Sequence, residues 1–149
     1  MIRNVSDAFD FSVAQSGTSL VFTATETATA GTGVLYVGGV RDDRATGTVA
    51  ADVIKGGGGN DVLTGGAGDD NFVFAPAFGT DRITDFTAGS ASDDVIDLTA
   101  LALVNGFSDL TVTATNNGAG TRIITPGGDV IILSGVAPSD LDPASDFLF

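Results

Sequence analysis

The chain has 149 residues and a formal net charge of -13, with 19 Asp and Glu against 6 Lys and Arg, and Glu26 is the single Glu. That length suits one domain with a modest core, and so acidic a surface repels nucleic acid and anionic lipid, so neither is an expected partner. The absence of Cys, His and Trp removes disulfides, thiolate chemistry, the commonest zinc ligand and the base of a hydrolytic triad.

Residues 1–37 read as a β-rich amino-terminal cap or the remnant of a preceding domain. Leu20–Thr25 partly alternates apolar and polar, and Phe9 and Phe11 are spaced as on one face of a strand. Met1–Asp10 lacks a basic start followed by an apolar stretch, so export by an amino-terminal signal is not expected. No apolar run is long enough to span a bilayer, and membrane insertion is not expected.

From Gly38 the chain repeats in nines. The clearest units are GGGGNDVLT from Gly56 and GGAGDDNFV from Gly65. Counting back, Gly47 and Gly38 open two looser units, with Arg41 and Ala50 where the fourth Gly should stand. The register carries an Asp at the sixth place, Asp43, Asp52, Asp61 and Asp70, and an apolar residue at the eighth, Ala45, Ile54, Leu63 and Phe72. One unit further back Val34 replaces the Asp and Tyr36 takes the inward place, as in a coil without metal. Downstream, Asp81 and Asp94 continue the series after short insertions, each followed by strand-like residues.

Glycine permits positive φ and close backbone approach, and Asp is a short, hard oxygen ligand suited to calcium. Stacked parallel coils lie about 4.7 to 4.9 Å apart and calcium sits about 2.3 to 2.6 Å from oxygen, so an ion between two turns meets oxygens of both. Two units per coil pair Asp43 with Asp61, Asp52 with Asp70, and Asp61 with Asp81. The competing reading is a flexible glycine linker, which has no reason to keep Asp and an apolar residue in fixed places. At about 1 mM calcium and a site constant of about 10⁻⁴ to 10⁻⁵ M, each site contributes about 1.4 to 2.7 kcal/mol. Several ions then couple binding to folding.

Leu98–Leu103 is either a short helix or irregular. Strands are predicted at Leu110–Thr115, Arg122–Thr125 and Val130–Leu133, with Asn116–Gly118 and Pro126–Gly128 as the turns between them. The fold class expected is all-β: a parallel β-roll (a β-solenoid) with calcium in its turns over 38–97, capped over 98–149 by further short strands.

Together these residues resemble the repeats-in-toxin (RTX) family of haemolysin-type calcium-binding repeats, closely over Gly56–Val73 and more weakly over Gly38–Lys55. FGTDRITDF at Phe78–Phe86, DDVIDL at Asp93–Leu98 and the ending GDVIILSGVAPSDLDPASDFLF are similar to the carboxyl-terminal domain of serralysin-type metalloproteases. The resemblance implies ligands from the carbonyls of repeat positions one and three and from the Asp: Gly56, Gly58, Asp61, Gly65, Ala67 and Asp70. Gly57, Gly59, Gly66 and Gly68 would serve the neighbouring half-sites, with Asp43, Asp52, Asp81 and Asp94 as the outlying carboxylates. It also implies secretion through a type I apparatus by an uncleaved carboxyl-terminal signal, for which Asp146–Phe149 is the candidate; the alternative for these four is a last strand packed on the core. An attached catalytic domain is a further implied partner.

The function expected is a non-catalytic calcium-responsive module of a secreted protein. An enzyme is disfavoured, because the Asp residues fall where calcium claims them and Glu26 stands alone. The alternative is a polysaccharide- or cell-surface-binding module, for which Arg82 and Arg122 on one face of the roll would be the candidate contacts.

Overall fold

The computed structural model describes residues 9–16, 19–26, 33–89, 94–103, 105–115 and 117–149, the first two segments as backbone. Residues 1–8 and 27–32, Asp93 and Asn116, on which parts of the sequence reading rest, lie outside the described residues.

Each nine-residue unit folds as a turn followed by a three-residue strand: β4 (Arg44–Thr46), β5 (Val53–Lys55), β6 (Val62–Thr64) and β7 (Asn71–Val73). The inward residue of each is the apolar eighth-place one. Ahead of them stand β1 (Phe9–Ser16), β2 (Ser19–Glu26) and β3 (Leu35–Val37); β8 (Thr80–Ile83) and β9 (Val95–Asp97) follow. Successive strands alternate between two sheets, so β2, β4, β6 and β8 stack in one and β3, β5, β7 and β9 in the other, all parallel. This is a parallel β-roll. Its repeat is 18 residues from Asp43 to Asp61 and from Asp52 to Asp70, then 20 to Asp81 and 24 to Asp94.

The carboxyl-terminal strands extend both stacks. β12 (Val130–Ser134) pairs in parallel with β8, and β13 (Phe147–Leu148) pairs in parallel with β9. β10 (Thr111–Ala114) and β11 (Gly120–Ile124) add to β12 as an antiparallel meander, while β1 and β2 form an antiparallel hairpin at the other end. The Leu98–Leu103 segment resolves into a 3-10 turn at Thr99–Leu101. Two more 3-10 turns, at Gly106–Asp109 and Pro138–Asp140, had no sequence expectation.

The core lies between the sheets as two facing columns. Ala45, Leu63, Ile83 and Leu133 project from one, and Tyr36, Ile54, Phe72, Ile96 and Phe147 from the other, all buried. Fully burying each aliphatic or Phe side chain is worth about 1.5 to 3 kcal/mol. Because a strand of three residues offers one inward place, every coil adds a single pair of side chains to the core. The inserted loop of the 20-residue coil adds more, since Phe74 and Phe78 pack together at 4.8 Å between ring centroids. Among the described residues no helix is long and apolar enough to cross a membrane.

Candidate metal centre

The turns preceding the strands form two columns along the edges of the roll. One column holds the turns ending in Asp43, Asp61 and Asp81; the other holds those ending in Asp52, Asp70 and Asp94. All six carboxylates are at most 6% exposed. They are buried because each side chain folds back along the turn rather than into solvent, and glycine makes room for this. A Cβ on Gly56 would collide with Asp61 Oδ2, and one on Gly65 with Asp70 Oδ2.

Asp52, Asp61, Asp70, Asp81 and Asp94 each hold the coil before. Asp61 Oδ1 accepts the N–H of Asp43 at 2.7 Å, and Asp81 Oδ1 accepts that of Asp61 at 2.9 Å. In the other column Asp52 Oδ1 accepts from Val34 (2.6 Å), Asp70 from Asp52 (2.9 Å) and Asp94 from Asp70 (3.0 Å). The structure thus brings together the Asp pairs expected from two units per coil, and adds the contact of Asp70 with Asp94.

The second oxygens divide the carboxylates. Asp43 Oδ2 accepts from Gly39 N (2.9 Å) and Asp94 Oδ2 from Thr87 N (2.8 Å). Asp52 is bound within its own turn, by the N–H and hydroxyl of Thr48. Asp61 Oδ2 and Asp81 Oδ2 are buried with no hydrogen-bond partner. A buried charged oxygen without a partner is costly unless a cation or a proton meets it. Burial accordingly pushes the Asp61 carboxyl up to about 6, and those of Asp70 and Asp81 up to about 7. The accepted backbone N–H opposes the shift in each case, and the neighbouring carboxylates add to it. Burial raises Asp52 and Asp94 as well.

Gly56–Gly59 form the turn before Asp61, and Gly65–Gly68, with Ala67 in third place, form the turn before Asp70. These turns pack directly on the coil before: Gly58 N donates to the Gly39 carbonyl (2.8 Å) and Ala67 N to that of Thr48 (3.0 Å). Gly57 and Gly66 have φ of 105° and 110°, and a Cβ on either would strike the Gly39 or Thr48 carbonyl oxygen. Only glycine satisfies both the dihedral and the approach.

Among the described residues no three Asp or Glu side chains converge. One buried Asp per turn, at the sixth place, with consecutive buried Asp of a column a whole coil apart, leaves the remaining oxygens to the backbone. Carbonyls and isolated carboxylates, in a sequence without His or Cys, form a hard-oxygen donor set of the kind that suits calcium. The donor set, the glycine cradles and the orphaned oxygens of Asp61 and Asp81 all fit a calcium ion.

Three further carboxylates close these columns and were not assigned to them from sequence, where Asp146 was read only as part of the export-signal candidate. Asp85 accepts from Gly65 N (3.0 Å) and Gly66 N (2.8 Å), Asp129 from Gly79 N (3.0 Å) and Ala77 N (3.1 Å), and Asp146 from Gly89 N (3.0 Å) and Asp142 N (2.8 Å). The signal for Asp129 is Gly127-Gly128-Asp129 ahead of a strand, a shortened echo of the repeat; Asp85 and Asp146 carry no comparable signal.

Residues 37–72 match the RTX calcium-binding nonapeptide repeat family in four copies. Among solved structures the chain is similar to the solution structure of the AlgE6R3 subunit from the Azotobacter vinelandii mannuronan C5-epimerase, at 29% identity, covering 76% of this chain and 81% of that one, with a TM-score of 0.42. No curated protein matches the chain.

Proposed function

This chain carries RTX calcium-binding repeats, and from that premise we propose that it is a non-catalytic module of a secreted protein that folds when calcium fills its turns. The reading rests above all on the orphaned Asp61 and Asp81 oxygens. Bound calcium supplies positive charge between stacked turns and neutralises carboxylates that otherwise repel one another. The chain's own residues would do the rest: the glycine turns bring carbonyls to the ion, Oδ1 of Asp52, Asp61, Asp70, Asp81 and Asp94 fixes the preceding coil, and the unpartnered Oδ2 of Asp61 and Asp81 is left for the metal.

The site residues are Asp43, Asp52, Asp61, Asp70, Asp81 and Asp94, with the carbonyls of Gly56–Gly59 and Gly65–Gly68. Asp61, Asp70 and Asp81 bind first. Asp52 binds more weakly, because Thr48 already satisfies its carboxylate. Several ions bind, and since each coil touches only its neighbours, their effects on folding reinforce one another along the roll.

In this reading the chain stays unfolded where free calcium is low, leaves through a type I apparatus, and stabilises the exported protein or attached domain once folded outside. The export signal is Asp146–Phe149, half of which the folded chain buries: Asp146 and Phe147 are buried, Phe147 against Phe107 at 5.0 Å between centroids, while Leu148 and Phe149 stay exposed. Titration with calcium, followed by far-ultraviolet circular dichroism and native mass spectrometry, tests the core of the proposal. The β signal is expected to rise with the uptake of several ions, and an identical spectrum in chelator and in calcium would overturn it.

A further inference from the structure

The smaller of the two sheets has five strands, in the order β13, β9, β7, β5, β3. A three-residue strand that turns its middle residue inward turns the first and third outward. Register sets Val37, Lys55, Val73, Asp97 and Leu148 in one outward row and Leu35, Val53, Asn71 and Val95 in the row before it. Six of these nine are aliphatic. Leu35 and Val37 are 58% and 56% exposed, and Leu148 46%. A contiguous apolar patch of this kind marks an interaction surface. Across the strands the longer row runs apolar, positive, apolar, negative, apolar, and so reads the same in reverse with the charges exchanged. The other row sets Val53 and Val95 on either side of Asn71. Both rows have β7 at their centre.

We propose that two copies of the folded chain pair face to face through this sheet, about a two-fold axis that lies along β7. Such an axis reverses the order of the strands and keeps every residue at its own height along them. At the usual sheet separation of about 10 Å, Lys55 of each copy then meets Asp97 of the other, Val73 meets Val73, Val53 meets Val95 and Val37 meets Leu148. Self-complementarity of this kind is what an isologous interface requires. Asp97 is held in place for its part, since its Oδ1 accepts from Thr99 N at 3.0 Å and Thr99 Oγ1 at 2.6 Å. Asn71 lies on the axis, and its amide oxygen is buried with no hydrogen-bond partner. A half turn of that amide offers a donor and an acceptor to its own copy. The larger sheet cannot pair in this way. Register there places Arg44 opposite Val62, Val62 opposite Arg82, Arg82 opposite Ile132 and Ile132 opposite Arg122, a row with three exposed arginines and no acidic residue, which repels its own copy. The paired face is about 24 Å by 10 Å, small for a specific interface, so the dimer is weak. Calcium in the turn columns favours it by offsetting the repulsion between two chains of net charge -13.

The inference needs only the folded roll, so sedimentation equilibrium is run in excess calcium from about 10 μM to about 1 mM chain, with circular dichroism on the same samples. A monomer–dimer equilibrium with a Kd of about 10⁻⁵ to 10⁻³ M is expected. Asn71→Asp, which sets two carboxylates together on the axis, and Lys55→Glu, which sets each against Asp97, should each weaken it about tenfold or more. Adding Asp97→Lys to Lys55→Glu should restore it. In the unaltered chain, concentration-dependent amide shifts should localise to β5, β7 and β9, which decides the matter even where a variant does not fold. Monomer throughout in a chain folded in calcium overturns the inference, leaves the face to an attached domain and leaves the calcium reading intact. Undiminished pairing by folded Asn71→Asp and Lys55→Glu variants, no restoration by a folded double variant, or shifts on other strands overturns it equally. A chain that stays unfolded in calcium overturns the calcium reading instead. The same series is then run on the chain folded without calcium, where monomer overturns the pairing too, and a chain folded in neither condition overturns both.

Discussion

Asp61 reaches back one coil to accept the N–H of Asp43 at 2.7 Å, and its other carboxylate oxygen is buried with no partner. Asp61→Asn keeps an acceptor for Asp43 and removes the charge. The midpoint of calcium-induced folding should rise about tenfold or more, the loss of roughly one charged interaction of 1.5 to 3 kcal/mol. Asp52→Asn, whose carboxylate Thr48 already satisfies, should raise it less; equal midpoints for the two variants would contradict the ranking.

The raised carboxyl groups fix the sign of a pH effect. With folded values of about 6 for Asp61 and about 7 for Asp70 and Asp81, against about 3.9 unfolded, these groups take up protons on folding. Their contribution to the calcium-free fold is fully present below about pH 4 and is lost as pH rises through 6 to 7. The β signal in chelator should be greatest near pH 4 to 5 and be lost towards pH 7 to 8. Calcium reverses the trend, because binding needs the carboxylates ionised, and its addition near pH 6.5 should release protons. A calcium-free β signal that climbs with pH would refute this.

Gly66→Ala meets both a positive φ and the Thr48 carbonyl, whereas Gly128→Ala, at φ 93°, has open space around the new methyl. The second should cost about 1 kcal/mol from backbone strain alone, about 2 to 4 °C in a chain of this size. The first should cost well over that, measured as melting temperature in saturating calcium. Equal losses would show that coil-to-coil approach is not limiting.

Phe72 is fully buried and packs 6.2 Å, centroid to centroid, from Phe86. Phe72→Ala should remove about 3 to 5 kcal/mol. Since each coil supplies one inward pair, that loss is expected to leave the roll only partly folded even in excess calcium, read as a reduced plateau of the β signal. An undiminished plateau and melting temperature would show that the core is not so thinly built.

The roll itself was legible because its period is short and its requirements are local. Asp61 and Leu63 fall two apart in every unit for reasons that lie within nine residues: a glycine turn, a ligand and one inward side chain. Pairing of β12 with β8 was not legible, because Val130 meets Thr80 from 50 positions away, past β9, two 3-10 turns and the first two strands of the meander. The roles of Asp85, Asp129 and Asp146 were hidden for the same reason: their partners Gly65, Gly79 and Gly89 are set by tertiary stacking, not by spacing. Of the candidate ligands, Asp52 reads in sequence like Asp61, and only the hydroxyl of Thr48 folding onto it separates the two. Arg44 joined Arg82 and Arg122 only once the strand register was known.

The hydrogen bonds of the Asp columns all run in one direction. From Val34 to Asp52, Asp70 and Asp94, and from Asp43 to Asp61 and Asp81, the earlier coil donates and the later coil accepts. The stack is therefore latched from behind: each coil is fastened by its successor, and a chain lengthening from its amino end always carries one unlatched coil at its growing edge. Trimming coils from the carboxyl end strands a backbone donor, and trimming from the amino end strands a carboxylate acceptor, so the two ends of the roll are left with opposite halves of the same bond.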